Sequence, residues 1–402
     1  MSVIIRNARV LALAGGPGPR RGAALGEFGV RARADVLVSG DRIAAVGGQL
    51  TAPRDAEVID ADGRVLLPGF VDAHTHACWA GDRLEEWAMK RRGVPYLEVL
   101  RQGGGIHATV RAVRAASEEE LAADTLARLE AMRREGTTTA EVKSGYGLST
   151  ADELKMLRAI RDAGRRWAGT VVPTALLGHA CEGEADAFVA RTIAETLPAV
   201  TREFPGIAVD AFCEESAWSR AACEALFRAA MEHGHPVRVH ADQFNSLGMI
   251  PAAVALGARS VDHLEAATDA DLGRLAASDT MGVILPATGF HTDGRYARAR
   301  EFVDAGGAVV LATNCNPGSA PTHSLPMAIA LAVRFCGLTP AEAIAACTVN
   351  AAALLGLPDR GTIEVGQRAD LVLLRHRDER MLAYEFGGNP VERVICGGAV
   401  VV

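Results

Sequence analysis

The sequence predicts an α/β fold: a (β/α)8 barrel with a small β domain built from both ends of the chain. Three observations predict it. Residues 1–65 and 357–402 are rich in short strand signals split by Gly and Asp turns. The stretch between them, 66–356, alternates apolar strand-like runs with helical patterns. Eight such runs can be counted, which is the strand number of a (β/α)8 barrel.

The N-terminal strands are VIIRNARVLAL, DVLVSGDRIAAVG and AEVIDADGRVLL, and the loop GGPGPRRGAALGEFG between the first two reads as a surface excursion. The barrel runs are expected to end at Thr75–His76, Ser144–Tyr146, Gly178–His179, Glu214–Ser216, Ala241–Gln243, His263–Glu265, Ala287–Thr288 and Thr313–Asn316. Ser117 with Glu120 and Thr150 with Glu153 have the spacing of capping boxes. SRAACEALFRAAMEHG and PAEAIAACTVNAAALLG carry apolar residues at helical spacing. TIEVGQRADLVLL and VERVICGGAVVV supply the closing strands.

Composition excludes several classes. A net charge of −7, with both signs interspersed, gives no electrostatic case for nucleic acid or an anionic membrane. Arg6 and Arg9 interrupt the first apolar run, so it does not read as a signal peptide. No apolar run reaches the about 18 residues of a membrane span. The eight cysteines are scattered without a C-x-x-C pair, which predicts reduced core cysteines and a cytoplasmic protein.

In a barrel, residues at the C-terminal ends of the strands face the active site. His74 and His76 lie two apart, on one face of a strand, and form a chelating pair for Zn2+ or Fe2+. His240, ending VRVH, is the natural third nitrogen ligand, and His263, ending SVDH, a proton acceptor. Taken singly, His240 or His263 reads equally well as a hydrogen-bonded structural histidine. His107 reads as a loop residue; His233, His235 and His323 lie near turns and take no role.

The frame PGFVDAHTH…HAD…DHLE…NPG resembles the amidohydrolase superfamily. HTHACWAGDR (74–83), GGGI (103–106), KSGYGL (143–148), GHA (178–180), VRVHADQ (237–243) and NCNPGS (314–319) resemble, more narrowly, the imidazolonepropionase family. The resemblance spans nearly the whole chain. It implies a barrel of amidohydrolase type with a β-sandwich from both termini, and hydrolysis of the ring C–N bond of 4-imidazolone-5-propanoate to N-formimidoyl-L-glutamate by a metal-activated water. It implies one Zn2+ or Fe ion among His74, His76, His240 and Asn314, and His263 as proton shuttle. It further implies a substrate held by Arg83, Tyr146, His179, Gln243 and Ser319, with Asn316 and Gly318 against the propionate or product backbone, and a homodimer.

The residue chemistry can be set beside that picture. Arg83 offers a planar fork to a carboxylate, or is a solvated surface arginine. Tyr146, in a GYG turn, reaches a ligand or caps the core; His179 bonds a ring or is structural. Gly318 and Ser319 are expected to open the helix after strand 8, whose amides would bind an anion. Lys143 reads as structural. Two positions depart from the family pattern. Asn314 stands where a metal-ligating aspartate is usual, and Gln243 where some members carry Glu; neither amide accepts a proton near neutral pH. Two alternatives follow: another mononuclear amidohydrolase acting on a cyclic amide or aminated heterocycle, or a catalytically impaired binding homologue.

Overall fold

A computed structural model describes residues 2–16, 18–94, 104–215 and 217–402. Gly103 of the GGGI motif and Ser216 at the expected end of the fourth barrel strand lie outside the described residues. The N-terminal strands are β1 (Ser2–Leu11), β2 (Val30–Ser39), β3 (Arg42–Gly47), β4 (Glu57–Asp60) and β5 (Val65–Pro68). The chain then enters β6 (Phe70–Asp72), β7 (Thr137–Lys143), β8 (Thr170–Gly178), β9 (Ala208–Cys213), β10 (Val237–Ala241), β11 (Ser260–His263), β12 (Met281–Ile284) and β13 (Val309–Leu311). It ends with β14 (Leu371–Leu374), β15 (Val391–Cys396) and β16 (Ala399–Val400).

The terminal strands make one hydrogen-bonded sheet in the order β16-β15-β14-β5-β1-β2-β3, with β4 paired to β1. The chain's two ends meet where β14 runs antiparallel to β5, Val372 opposite Leu67. Arg9 donates to both carboxylate oxygens of Glu379 at 2.7 and 2.8 Å, a two-point clasp across the same seam. β14 reads LVLL without polar alternation because both its faces are covered. Leu371 and Leu373 join Val3, Ile5, Val36 and Ile43 in the sheet's own core. Val372 and Leu374 join the barrel's core.

The junction between sheet and barrel is Gly69. A Cβ there would lie 2.2 Å from the Oγ1 of Thr138 on β7, so the backbone passes where no side chain fits.

The eight strands β6 to β13 pair in chain order, all parallel. Helices return between them: Glu118–Arg134, Thr150–Arg166, Arg220–Glu232 and shorter ones. The closing seam, β13 to β6, is thin. Among the described residues it consists of a single bridge, Thr75 to Cys315, with Asn314 N–H donating to the His74 carbonyl at 3.1 Å and His76 N–H to the Cys315 carbonyl at 2.9 Å. Thr313 adds two bonds to the Asp72 carboxylate, 3.1 Å from its N–H and 2.6 Å from its hydroxyl. The strands that carry the H-x-H pair and Asn314 are therefore joined at the level of those residues.

Several local expectations are corrected. The Gly/Pro/Arg loop is not a mere excursion: Gly22–Gly26 forms a 3-10 turn, Leu25 is fully buried, and the Arg20 N–H donates to Asn350 Oδ1 at 2.7 Å. The seventh strand ends at Ile284, and Ala287–Thr288 belong to the helix Pro286–His291, because Pro286 sets a helical first turn. The capping box Ser117–Glu120 forms. The one expected at Thr150–Glu153 does not; Ser149 is the cap and accepts from the Asp152 N–H. All eight cysteines are free and all but Cys181 are buried. Among the described residues, no helix is long and apolar enough to cross a membrane.

Candidate active site

Barrel interiors are usually filled by branched apolar side chains. Here one level is ionic. Glu141 and Lys143 on β7, Asp210 on β9, Arg238 on β10 and Asp262 on β11 are all essentially inaccessible to solvent. Lys143 Nζ bonds Glu141 Oε1 at 2.7 Å and Asp210 Oδ2 at 2.9 Å. Arg238 bonds Asp262 Oδ2 at 2.6 Å and the Ser260 hydroxyl at 3.0 Å, and lies 3.4 Å from Glu141. Burial raises the Asp210 pKa, but His240 and Lys143 more than offset it and hold the carboxyl well below its usual range. Lys143, read as structural from the sequence, is the centre of this layer.

The histidines stand on the layer. Asp262 Oδ2 is 2.6 Å from His74 Nδ1, and Asp210 Oδ1 is 3.1 Å from His240 Nδ1. Each ring donates its Nδ1–H to the carboxylate, which leaves Nε2 of both rings as a lone pair. Burial first, then the nearby cationic Lys143, drives His74 well below the usual imidazole range. Burial and His179 do the same for His76, and burial lowers His240 against the pull of Asp210. The three rings are neutral, as ligation requires. His240 Nε2 and His76 Nε2 are 3.3 Å apart. Two nitrogens bound to one tetrahedral ion at 2.0–2.1 Å stand roughly that far from each other.

Asn314 completes the ring from the other side. Its Nδ2 donates to the Thr288 hydroxyl at 2.9 Å, so its Oδ1 is the atom left over, buried and without a partner. His74 Nε2 and His76 Nδ1 are likewise buried and unpartnered. Asn314, Asp242 and His263 all have positive φ, at 55°, 56° and 97°. Three barrel strands thus turn at the site through positive φ, a region that Asn, Asp and His enter more readily than other side chains.

Around these groups lies a cavity of about 70 Å³, lined by His76, Tyr146, His179, Phe212, His240, Gln243, His263, Asn314, Asn316 and Ser319. His179 stacks on His76, centroids 5.1 Å apart and planes 23° from parallel, and packs 5.1 Å from Tyr146. Burial pushes the His179 pKa down to about 3, so its ring is neutral, and its Nδ1 lies 3.0 Å from the Gly145 carbonyl.

The family profile described as amidohydrolase family matches residues 65–401. The chain belongs to the amidohydrolase family. Among its relatives, the imidazolonepropionase of Deinococcus radiodurans is 47% identical, with 95% of this chain and 96% of that one covered. The imidazolonepropionase of Symbiobacterium thermophilum is 43% identical over 100% and 97%. In fold, the chain matches atrazine chlorohydrolase of Arthrobacter aurescens TC1 complexed with zinc, with a TM-score of 0.71 at 18% identity, over 100% of this chain and 95% of that one.

Read as an amidohydrolase centre, the residues fit a metal ion: neutral imidazoles with fixed lone pairs, and orphaned buried acceptors facing one another. His74, His240 and His263 bring ligand atoms within 4.8 Å of one another, so His263, expected to transfer the proton, lies beside the candidate metal ligands. His76 joins through its contact with His240.

The outer residues divide. Arg83 does not line the cavity; its guanidinium packs on Gly318, where a Cβ would come within 2.9 Å of Nη1, and pairs with Glu86. The anion-binding helix start at Gly318–Ser319 does not exist. The next helix begins at Leu325, and both amides donate, at 2.8 Å each, to Asn316 Oδ1. Pro317 and Gly318 favour a turn closed by the asparagine side chain over a helix. Asn316 therefore shapes the turn that presents Ser319. Sequence reasoning missed Phe212, Asp210, Asp262, Arg238 and Glu141. The available signal was a charge inside each of the apolar strands AEVK, AVDAF, VRVH and SVDH, and Phe212 lies two residues beyond Asp210, on its face.

Proposed function

We propose that this amidohydrolase is an imidazolonepropionase, hydrolysing the ring C–N bond of 4-imidazolone-5-propanoate to N-formimidoyl-L-glutamate. The observation that carries the reading is the convergence of carboxylate-locked imidazoles on a polar cavity, in a chain whose full-length relatives bear that name. His74, His76, His240 and Asn314 would hold one Zn2+ or Fe ion, with His263 within reach. Such an ion supplies Lewis acidity and lowers the pKa of water toward neutrality.

The chain's own groups do the rest. His263, held by Glu265 Oε1 at 3.3 Å from its Nδ1, accepts the proton of the attacking water as the water oxygen bonds the ring carbonyl carbon. The carbonyl C–N bond then breaks, and His263 returns the proton to the departing ring nitrogen. Tyr146, neutral His179 and Gln243 hydrogen-bond the ring. Arg83, packed on Gly318 next to the cavity-lining Ser319, would take the propionate only by turning its guanidinium from Glu86. Binding energy from the arm aligns the bond that breaks.

The test is loss of the imidazolone absorbance on adding protein loaded with Zn2+ or Fe2+, beside a panel of cyclic amides and aminated heterocycles. Turnover confined to imidazolonepropanoate, and removed by a chelator, is expected. Turnover of a heterocycle lacking the carboxylate arm would transfer the assignment to another amidohydrolase reaction.

Asn314→Asp is expected to tighten metal binding, because a carboxylate adds charge at an oxygen already aimed inward. Thr288, now an acceptor, can turn its hydroxyl to donate. Competition with a chromophoric chelator reads the affinity. An unchanged affinity would mean that Oδ1 does not ligate.

A further inference from the structure

We infer that Glu153 is a positioning residue for the substrate-holding face of the cavity, acting through the Tyr146 turn. Glu153 is 3% exposed and lies in the first turn of the helix Thr150–Arg166. Its carboxylate is not spent on that helix. Oε2 accepts from the Gly145 N–H at 2.9 Å, and Oε1 accepts from Gly147 at 2.8 Å and Leu148 at 3.0 Å. The turn is pressed onto the helix start: a Cβ at Gly147 would lie 2.5 Å from the Glu153 nitrogen. Leu148 is held at φ 53°, a costly conformation for a leucine. Three converging amides thus tie both flanks of Tyr146 to one side chain, and they favour its ionised form against the burial that raises its pKa. The same turn supplies the Gly145 carbonyl that holds His179 Nδ1. One acidic group outside the cavity therefore fixes two rings inside it, and through His179 the stack on His76.

This rests on the reading that Tyr146 and His179 hold the substrate. The experiment separates the two. Glu153→Gln keeps the shape but presents an NH2 to one of the amides. Hydrogen exchange of the 144–148 segment, read by mass spectrometry on the full-length protein, is expected to rise about tenfold or more as protection falls. KM for imidazolonepropanoate is expected to rise by about tenfold with kcat little changed, since uniform binding is what is lost. Tyr146→Phe and Glu153→Gln combined should cost less than the product of their separate effects. Glu153→Asp, which keeps the charge but shortens the reach, gives a graded form of the same changes if the Gln variant does not fold. Unchanged exchange at 144–148, or a fall in kcat at constant KM, would overturn the proposal, the latter being the mark of a smaller folded fraction. If the wild type does not turn over imidazolonepropanoate, the substrate reading fails alone, and the exchange of 144–148 still decides whether Glu153 holds the turn.

Discussion

His240→Ala is expected to leave the protein folded, without bound metal and without turnover. His240 is the ring that the others share. Its Nε2 faces His76 at 3.3 Å, its centroid is 4.5 Å from His74 and 5.6 Å from His263, and Asp210 fixes its proton. Removing it deletes a ligand and frees the two partners it holds at ligand spacing. Asp210→Asn gives the smaller companion effect. The tautomer of His240 is no longer enforced, and loss of such an outer partner costs about 10–100-fold in metal affinity or activity. Metal content of the dialysed proteins and progress curves with added Zn2+ or Fe2+ read both. Retained metal at full stoichiometry in His240→Ala would shift the site to His74, His76 and His263 without it.

Arg238→Met is expected to be among the most destabilising single substitutions in the barrel. The guanidinium is 2% exposed and sits between Asp262 and Glu141, in a layer that already contains three carboxylates. Methionine matches part of the volume and none of the charge. The remaining groups would be Lys143 against Glu141, Asp210 and Asp262, all desolvated. Breaking a buried pair by removing one partner costs about 3–5 kcal/mol, because the other charge stays behind. Urea unfolding of the metal-free protein measures it. A loss below about 1 kcal/mol would show that water reaches the layer and screens it, as at a surface pair.

Much of the site was legible in the sequence, for a reason tied to geometry. A strand shows every second residue to one side, so His74 and His76 declare a shared face, and an imidazole at a strand end declares a barrel mouth. His240 and His263 follow from the same logic, whereas Asn314 comes only from the resemblance to the family. What failed was local competition between polar groups. Glu153 has capping-box spacing, yet three turn amides outbid the helix for its carboxylate. Gly318 and Ser319 look like a helix start, yet Asn316 claims their amides. The ionic layer was passed over because single charges in apolar strands look like exposed positions. Only the closure of β6 to β13 turns them inward onto one another. The engagement of Arg83 with Glu86 and Gly318 depends on tertiary contacts that no motif records.

The seam between β5 and β14 has a consequence for the order of events during synthesis. β1, β2, β3, β4 and β5 pair among themselves from the first 68 residues, but one edge of β5 waits for β14, about 300 residues later. At 5–20 residues per second the ribosome takes roughly 15–60 s to supply it. Throughout that interval the nascent protein carries an open strand edge, VLLP, with every side chain apolar. The barrel can close in the meantime. The last strands then dock on a partner finished long before, and the Arg9–Glu379 clasp locks the first and last parts of the chain together.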